Sequence, residues 1–280
     1  MASTPSASSG NGKSDIVLMH TNERAALLGH DFSRRELLDI GEQMVERNPL
    51  LTDWSVFFVS LVIRGIYTAQ SAANGRPLRP VAVIEPLLQT MLKGGSGGAV
   101  IPLPTFDDIV DTESAYNRTT NTMRRLLENR IVEDKLIPLH ADTHWSLLHY
   151  QAHTARWYHY DSCGTYHTDY AMSFFQYLYR ENIIAEPELQ HAVLALLRDS
   201  TALYKAHLPP QQRGGWECGF YVLMYIRRIF KKDLEPLTVE DDAESNHAFL
   251  TAFRNMCSGW TSETLRHLME NPVKDKNASK

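Results

Sequence analysis

Two short segments in the middle of the chain constrain the fold most, because together they predict a β-hairpin. His144–Gln151 and Arg156–Asp161 have the composition of strands, and only four residues separate them. So short a connection joins antiparallel neighbours. A third strand is predicted just upstream, over Lys135–His140. These segments indicate a mostly antiparallel sheet at the centre of the molecule.

Helical patterns surround these strands. Phe32–Val45 has helical spacing, and Ser33 followed by Glu36 predicts a capping box at its start. The apolar stretch Asp53–Tyr67 is long enough to favour a buried helix. Further helices are predicted over Ala82–Lys93, Asp169–Arg180, Pro187–Asp199, Gly219–Phe230, 245–257 and 261–270, and a further strand over Thr201–Leu208. Helices flanking a group of strands indicate the α+β class.

The hairpin carries a candidate base and a residue to orient it. His144 begins one strand and Asp161 ends the next. If the turn centres on Ala152 and His153, the two side chains face each other with Cβ atoms about 5 Å apart. A carboxylate at that distance would fix the imidazole tautomer and stabilise its protonated form. A stray polar pair across two strands is the alternative interpretation.

Cys218 is the candidate nucleophile. It follows Gly214 and Gly215 and stands at the start of the apolar helix predicted from Gly219. Free N–H groups and the helix dipole at that position favour a thiolate. Gly219 would let a substrate backbone approach, and the Gln212 side chain could donate to an oxyanion. The alternative is a buried structural cysteine.

The composition argues against other classes of site. Hydrophobic residues make up 43% and charged residues 22% of the 280 residues, an ordinary globular balance. The net charge of −5 argues against nucleic-acid binding, which needs a basic face. Histidines cluster between positions 140 and 167, but their spacing follows the strands and there is no Cys-x-x-Cys pair. Neither a metal site nor a cofactor is expected.

Cysteine usage and the ends of the chain suggest one intracellular domain. Three cysteines, Cys163, Cys218 and Cys257, do not indicate a disulfide framework and favour a reducing compartment, cytoplasmic or nuclear. Residues 1–15 and 272–280 are predicted to be disordered tails around a single, monomeric domain at 16–271. No stretch approaches the roughly 20 apolar residues needed to span a bilayer, and the start of the chain lacks a signal peptide. No membrane partner is expected.

The candidate site resembles that of the ubiquitin-like-protein-specific cysteine proteases, which include the sentrin/SUMO-specific proteases. The order His144, Asp161, Gln212, Cys218 is the family's order. The matching stretches are Thr143–Leu148, Tyr158–Ser162 and Pro210–Tyr221. The phrases THWSLLHY and HYDS and the double glutamine before the nucleophile resemble the deneddylase branch most closely.

The resemblance implies a papain-like core in permuted order, with the nucleophile at a helix N-terminus. It implies hydrolysis after the C-terminal Gly-Gly of a ubiquitin-like modifier, with the neddylation modifier favoured and SUMO or ubiquitin as alternatives. Trp145 would roof a narrow channel over the glycines, and Asp53 would contact the substrate. Trp216 and Gly219, in the nucleophile's motif, complete the expected substrate-binding residues.

The chain departs from the family pattern in three places. Leu50 stands where a second channel tryptophan is expected, Glu217 precedes the nucleophile where the family prefers Asp, and the glycine-rich stretch 94–98 has no obvious counterpart. Two other functions share these motifs. An acetyltransferase effector uses a related His–acid–Cys triad but depends on an activator site that this sequence does not resemble. An inactive module that only binds a modifier would not need all four catalytic positions, and all four are filled.

Overall fold

The computed structural model describes residues 24–28, 30–46, 49–84, 86, 133–141, 143–180, 187–199, 203–206, 212, 214–237 and 247–271. The predicted tails, the glycine-rich stretch 94–98 and most of the predicted helix Ala82–Lys93 lie outside these residues. The start of that predicted helix is instead a strand, Val81–Val83.

A five-stranded mixed sheet forms the centre of the fold. Its strands are β3 (Val81–Val83), β4 (Asp134–Ala141), β5 (His144–Gln151), β6 (Arg156–Asp161) and β7 (Tyr204–Ala206), in that spatial order. The three central strands pair antiparallel, whereas β3 and β7 add to the edges in parallel. A separate hairpin, β1 (Arg24–Leu27) and β2 (His30–Ser33), lies outside this sheet, and the sequence patterns did not predict it.

Six helices are described, and they cover both faces of the sheet. They are α1 (Arg34–Val45), α2 (Asp53–Ala73), α3 (Thr168–Arg180), α4 (Pro187–Arg198), α5 (Cys218–Lys231) and α6 (His247–Glu270). Ser33 caps α1 in a capping box with Glu36, as predicted. The two helices predicted over 245–257 and 261–270 are wrong as separate elements, because α6 runs without a break through Ser258, Gly259 and Trp260.

Alternating residues of the central strands supply two hydrophobic cores. Trp145 and Leu147 of β5 face the core formed with α1, α2, α5 and α6. Leu148 and Tyr150 of the same strand face the smaller core formed with α3 and α4. All eight residues of β5 are buried, as expected for a strand with helices on both faces. These two layers of helices confirm the α+β class.

Helix α2 is longer than the sequence suggested. Its 21 residues are long and apolar enough to cross a membrane by length and composition, so the expectation that no segment meets that test is wrong. Core helices of globular proteins meet the same test. Residues 55–63 of α2 are all buried in the larger core, mostly against α5, α1 and α6. The structure therefore gives this helix a packing role.

Candidate active site

The hairpin brings His144 and Asp161 together, but in a different register from the one predicted. Asp161 lies opposite Ser146, because the turn is a 3-10 turn at Ala152–Thr154 followed by Ala155 in the left-handed conformation. The predicted centre at Ala152 and His153 is therefore wrong by one residue. Moving the turn centre by one residue shifts the strand pairing by two residues. Because side chains alternate with a period of two, His144 and Asp161 remain on the same face. His144 Nε2 and Asp161 Oδ1 are 2.7 Å apart on the diagonal.

Asp161 is a buried carboxylate held by three donors. Besides His144, its Oδ1 accepts the Cys163 N–H and its Oδ2 accepts the His167 N–H, each at 2.8 Å. Burial alone would raise the pKa of Asp161, but these hydrogen bonds hold that pKa below its ordinary value. Asp161 is therefore a fixed negative charge behind the imidazole.

Cys218 occupies the first position of helix α5, at the N-terminal end predicted for the nucleophile. The residue is 2% exposed, and its Sγ donates to the Thr143 carbonyl at 4.0 Å and to the Gly215 carbonyl at 3.9 Å, while His144 is close enough for the two side chains to interact. Since Asp161 engages Nε2, Nδ1 is the ring nitrogen that remains for the thiol. Burial opposes a charge on the imidazole, but the hydrogen bonds and charges of Asp161 and Cys218 raise the pKa of His144 to about 9. An imidazolium therefore faces the sulfur at neutral pH, the arrangement that activates thiol nucleophiles.

Gln212 and the glycine loop complete this end of the site. The Ser162 hydroxyl donates to Gln212 Oε1 at 2.8 Å, and the Gln212 N–H donates to the Ser162 carbonyl at 3.1 Å. With its oxygen held in this way, the amide directs its NH2 group to other acceptors. Gly214 N–H donates to Glu217 Oε2 at 3.0 Å, which holds the loop that leads into α5.

The predicted substrate-binding residues lie in three different settings. Trp145 is 3% exposed, donates its indole N–H to the Leu51 carbonyl at 3.1 Å and stacks on His140 with centroids 4.1 Å apart. Asp53, in the first turn of α2, lies 2.7 Å from His140 Nδ1. Asp53 and Trp145 thus share one neighbour, His140, whose side chain remains 30% exposed.

Gly219 and Trp216 have close neighbours within the protein. A Cβ on Gly219 would lie 3.1 Å from the Leu51 side chain, so the space that the sequence assigned to a substrate backbone contains Leu51. Gly219 is needed for close packing between α5 and the segment before α2. Trp216 packs edge-on to Phe220 and lies beneath the Arg254 guanidinium of α6, 5.3 Å from its ring centroid.

Two aromatic residues in the turn after β6 contact His144, and sequence reasoning missed both. His167 is buried, 4.7 Å from the His144 ring, and binds Ser146 Oγ and the Ala141 carbonyl at 3.0 Å each. Tyr166 is 62% exposed and lies edge-on to His144 at 5.3 Å. The clustering of histidines near position 150 was the available signal, but it did not show which of them pack together.

A comparison with protein families identifies the chain. The sequence model of the Ulp1 protease family, C-terminal catalytic domain, matches residues 106–252. The chain belongs to the Ulp1 protease family. It is therefore a cysteine-type peptidase of the class specific for ubiquitin-like proteins. No curated protein sequence matches it.

Solved structures resemble this Ulp1-family protease in fold. A de-sumoylating protease is 14% identical with a TM-score of 0.51, over 89% of this chain and 92% of that one. The SUMO protease Ulp1 with its catalytic cysteine oxidised to a sulfonic acid is 15% identical with a TM-score of 0.49, over 87% and 90%. The Ulp1-like SUMO protease catalytic domain of Chaetomium thermophilum is 15% identical with a TM-score of 0.45, over 85% and 81%. The first of these likenesses supports an Ulp1-like fold.

Proposed function

We propose that this Ulp1-family protease cleaves after the C-terminal Gly-Gly of the neddylation modifier, with Cys218 as nucleophile and His144 as general base and acid. The position of His144 next to both Asp161 and Cys218, at the start of α5, supports the catalytic chemistry of this proposal. Isopeptide bonds to lysine and peptide bonds in a modifier precursor are both chemically suitable substrates, because the leaving group is an amine in each.

The proposed cycle uses only side chains of the site. The Cys218 thiolate attacks the carbonyl carbon of the last glycine, and its proton resides on His144. The Gln212 amide and the Cys218 backbone N–H donate to the oxyanion. His144 then gives its proton to the departing amine, which leaves a thioester. Water, deprotonated by His144, attacks the thioester and releases the modifier.

Exposed groups near the catalytic residues are candidates for contact with the modifier's C-terminal tail. Leu50 is 64% exposed and replaces the expected channel tryptophan. It adjoins Leu51, whose carbonyl accepts the Trp145 indole N–H. We propose that the tail passes over Leu50 and the His140–Asp53 pair before it reaches Cys218. We propose that Tyr166, exposed and edge-on to His144, contacts the leaving-group side of the substrate.

The choice of modifier rests on sequence phrases shared with the deneddylase branch. SUMO is the second candidate, because the solved structures with this fold include SUMO proteases. Probes of the neddylation modifier, SUMO and ubiquitin, each with an electrophile at the C-terminal glycine, would distinguish the candidates. We expect fast labelling by the neddylation probe, lost in Cys218→Ala and retained in Cys163→Ser.

Each other result of the labelling has a definite meaning. Labelling by the SUMO or ubiquitin probe instead would mean that SUMO or ubiquitin is the modifier recognised, and the proposed catalytic mechanism would stand. Labelling that survives Cys218→Ala but not Cys163→Ser would show that Cys163, and not Cys218, is the nucleophile. A protein that no probe labels would fit the acetyltransferase or the inactive binding module, and the proposed hydrolysis would be wrong.

A further inference from the structure

Three side chains at the edge of the active site have the composition of a transition-metal site. His144, Asp161 and Cys163 each offer one ligand atom, a nitrogen, an oxygen and a sulfur, and these atoms all lie within 4.8 Å of one another. His144 and Asp161 are 5% and 2% exposed, and Cys163 is half-buried with a free thiol. The proposed hydrolysis uses the first two and leaves Cys163 without a task.

The turn after β6 holds Cys163 at this position. Its N–H donates to Asp161 Oδ1 at 2.8 Å, and the Gly164 N–H donates back to the Asp161 carbonyl at 3.3 Å. Gly164 has a φ of 75°, the left-handed conformation that glycine favours. The backbone therefore folds the cysteine back beside the carboxylate, and only one side-chain torsion remains to aim the sulfur.

The donor set matches Zn²⁺ better than other common divalent cations. Zinc binds imidazole nitrogen, carboxylate oxygen and thiolate sulfur at about 2.0–2.3 Å in tetrahedral geometry, which separates its ligand atoms by roughly 3.3–3.7 Å. A shift of about 1 Å in the side chains would bring this cluster to that spacing. Mg²⁺ and Ca²⁺ prefer oxygen ligands, and a single carboxylate with nitrogen and sulfur would bind them poorly.

We propose that His144, Asp161 and Cys163 form an inhibitory site for one Zn²⁺ ion. Zinc would displace one ring proton of His144 and the thiol proton of Cys163, both to solvent. With one ring nitrogen on the metal, His144 could no longer form the imidazolium that protonates the departing amine. The binding site stands on the geometry alone, whereas inhibition rests on the proposed function. Removal of the ion would restore the base, which makes the inhibition reversible.

The binding step is tested on the Cys218→Ala variant, which keeps all three proposed ligands and removes the reactive thiol. Titration with Zn²⁺ against a chromophoric chelator should give one ion per chain. Adding Cys163→Ser should weaken binding at least tenfold, because a hydroxyl is a poor zinc ligand. Adding Cys257→Ala, a cysteine buried elsewhere, should change nothing. Absence of binding in Cys218→Ala, or equal binding with Cys163→Ser, would overturn the site.

The inhibitory step is tested on the active protein with its preferred modifier substrate. Zn²⁺ should inhibit, a chelator should reverse the inhibition, and Mg²⁺ should have no effect. Each variant is compared with its own metal-free rate, and Cys163→Ser should require at least tenfold more zinc for half-inhibition. Equal sensitivity in the two proteins would mean that Cys218 and His144 bind the ion by themselves. If no substrate is cleaved, the proposed function fails and the chelator titration still decides the site.

Discussion

The proton chemistry of the site depends on the contact of Asp161 with His144. Burial opposes a charge on His144, and Asp161 is one of the two groups that raise its pKa to about 9, so that pKa should fall without the carboxylate. Asp161→Asn keeps the size of the side chain and removes its charge. We expect kcat/KM to fall on the order of 10²–10⁴-fold, as for other triads that lose this carboxylate.

The pH profile provides the specific measurement for Asp161→Asn. His144 must be protonated to release the amine, so wild-type kcat/KM should decline as pH rises through about 9. The descending limb of this profile reports the pKa of His144. In Asp161→Asn the limb should move to lower pH. A limb at the same pH in both proteins would show that Asp161 does not set the charge of His144.

The buried His167 side chain should make the folded protein less stable in acid. Burial, followed by the charge of His144, lowers the pKa of His167 to about 3, against 6.5 for the free side chain. Between these values the unfolded chain binds a proton that the folded protein excludes, so stability is lost as pH falls below about 6.5. The loss from this group approaches about 1.4 kcal/mol per pH unit.

Denaturant unfolding between pH 7 and pH 4 tests the role of His167. His167→Gln removes the titrating group, so its unfolding free energy should fall less steeply with acid than that of the wild type. His191→Gln, on the exposed side of α4, is the matched control and should keep the wild-type slope. Parallel curves for wild type and His167→Gln would contradict the prediction.

At the scale of elements, the packing of α5 on the segment before α2 positions the nucleophile. A Cβ at Gly219 would lie 3.1 Å from both Cβ and Cδ1 of Leu51. Gly219→Ala should therefore destabilise the protein by about 1–3 kcal/mol and lower kcat/KM, because the adjacent Cys218 must shift. Thermal unfolding and steady-state kinetics measure the two effects.

A neighbouring glycine gives the control for Gly219→Ala. A Cβ at Gly215 meets no atom within 4 Å, so Gly215→Ala should be close to wild type in both measurements. Leu51→Ala removes the Cδ1 contact, and in combination with Gly219→Ala it should cost less than the sum of the two single changes. If Gly219→Ala behaves like Gly215→Ala, the close packing does not position α5.

The strands and helices with strong local signals were predicted well from the sequence. Strands β5 and β6 have the predicted bounds, and Ser33 caps α1 as predicted. The hairpin register was wrong because Ala155 adopts a left-handed conformation that its side chain does not favour, with φ of 51°. The start of Ala82–Lys93 became β3 because pairing with β4 overrode a weak helical preference.

The site was predicted in part, and the limit was tertiary contact. His144, Asp161 and Cys218 could be chosen because their types and local settings carry chemistry. The contact of Gly219 with Leu51 joins positions 168 residues apart, and no local pattern encodes it. The same holds for His140 against Asp53, which are 87 positions apart. Such contacts decide which residues face a substrate and which face the core.

At the scale of the whole molecule, Arg79 joins segments that are distant in sequence, at the end of the sheet opposite the active site. Its guanidinium lies 3.5 Å from the buried Asp134 of β4 and 3.2 Å from Glu235, and it donates to the Asp233 carbonyl at 2.8 Å. It also contacts His153 in the turn between β5 and β6. This side chain therefore ties the start of β3 to β4, to the end of α5 and to the central hairpin.

Arg79→Met should lower stability without altering catalysis. Loss of the partner of a buried carboxylate typically costs about 3–5 kcal/mol, and the 34% exposure of Arg79 reduces the expected loss to about 1–3 kcal/mol. Seven steps along β5 place this cluster roughly 23 Å from His144, so kcat/KM at low temperature should remain at the wild-type value. Denaturant unfolding and kinetics on the same preparation measure both.

Arg35→Met, which breaks an exposed pair with Asp39, is the control and should leave both stability and kcat/KM unchanged. A fall in kcat/KM for Arg79→Met with normal stability would mean that the two ends of the sheet are coupled.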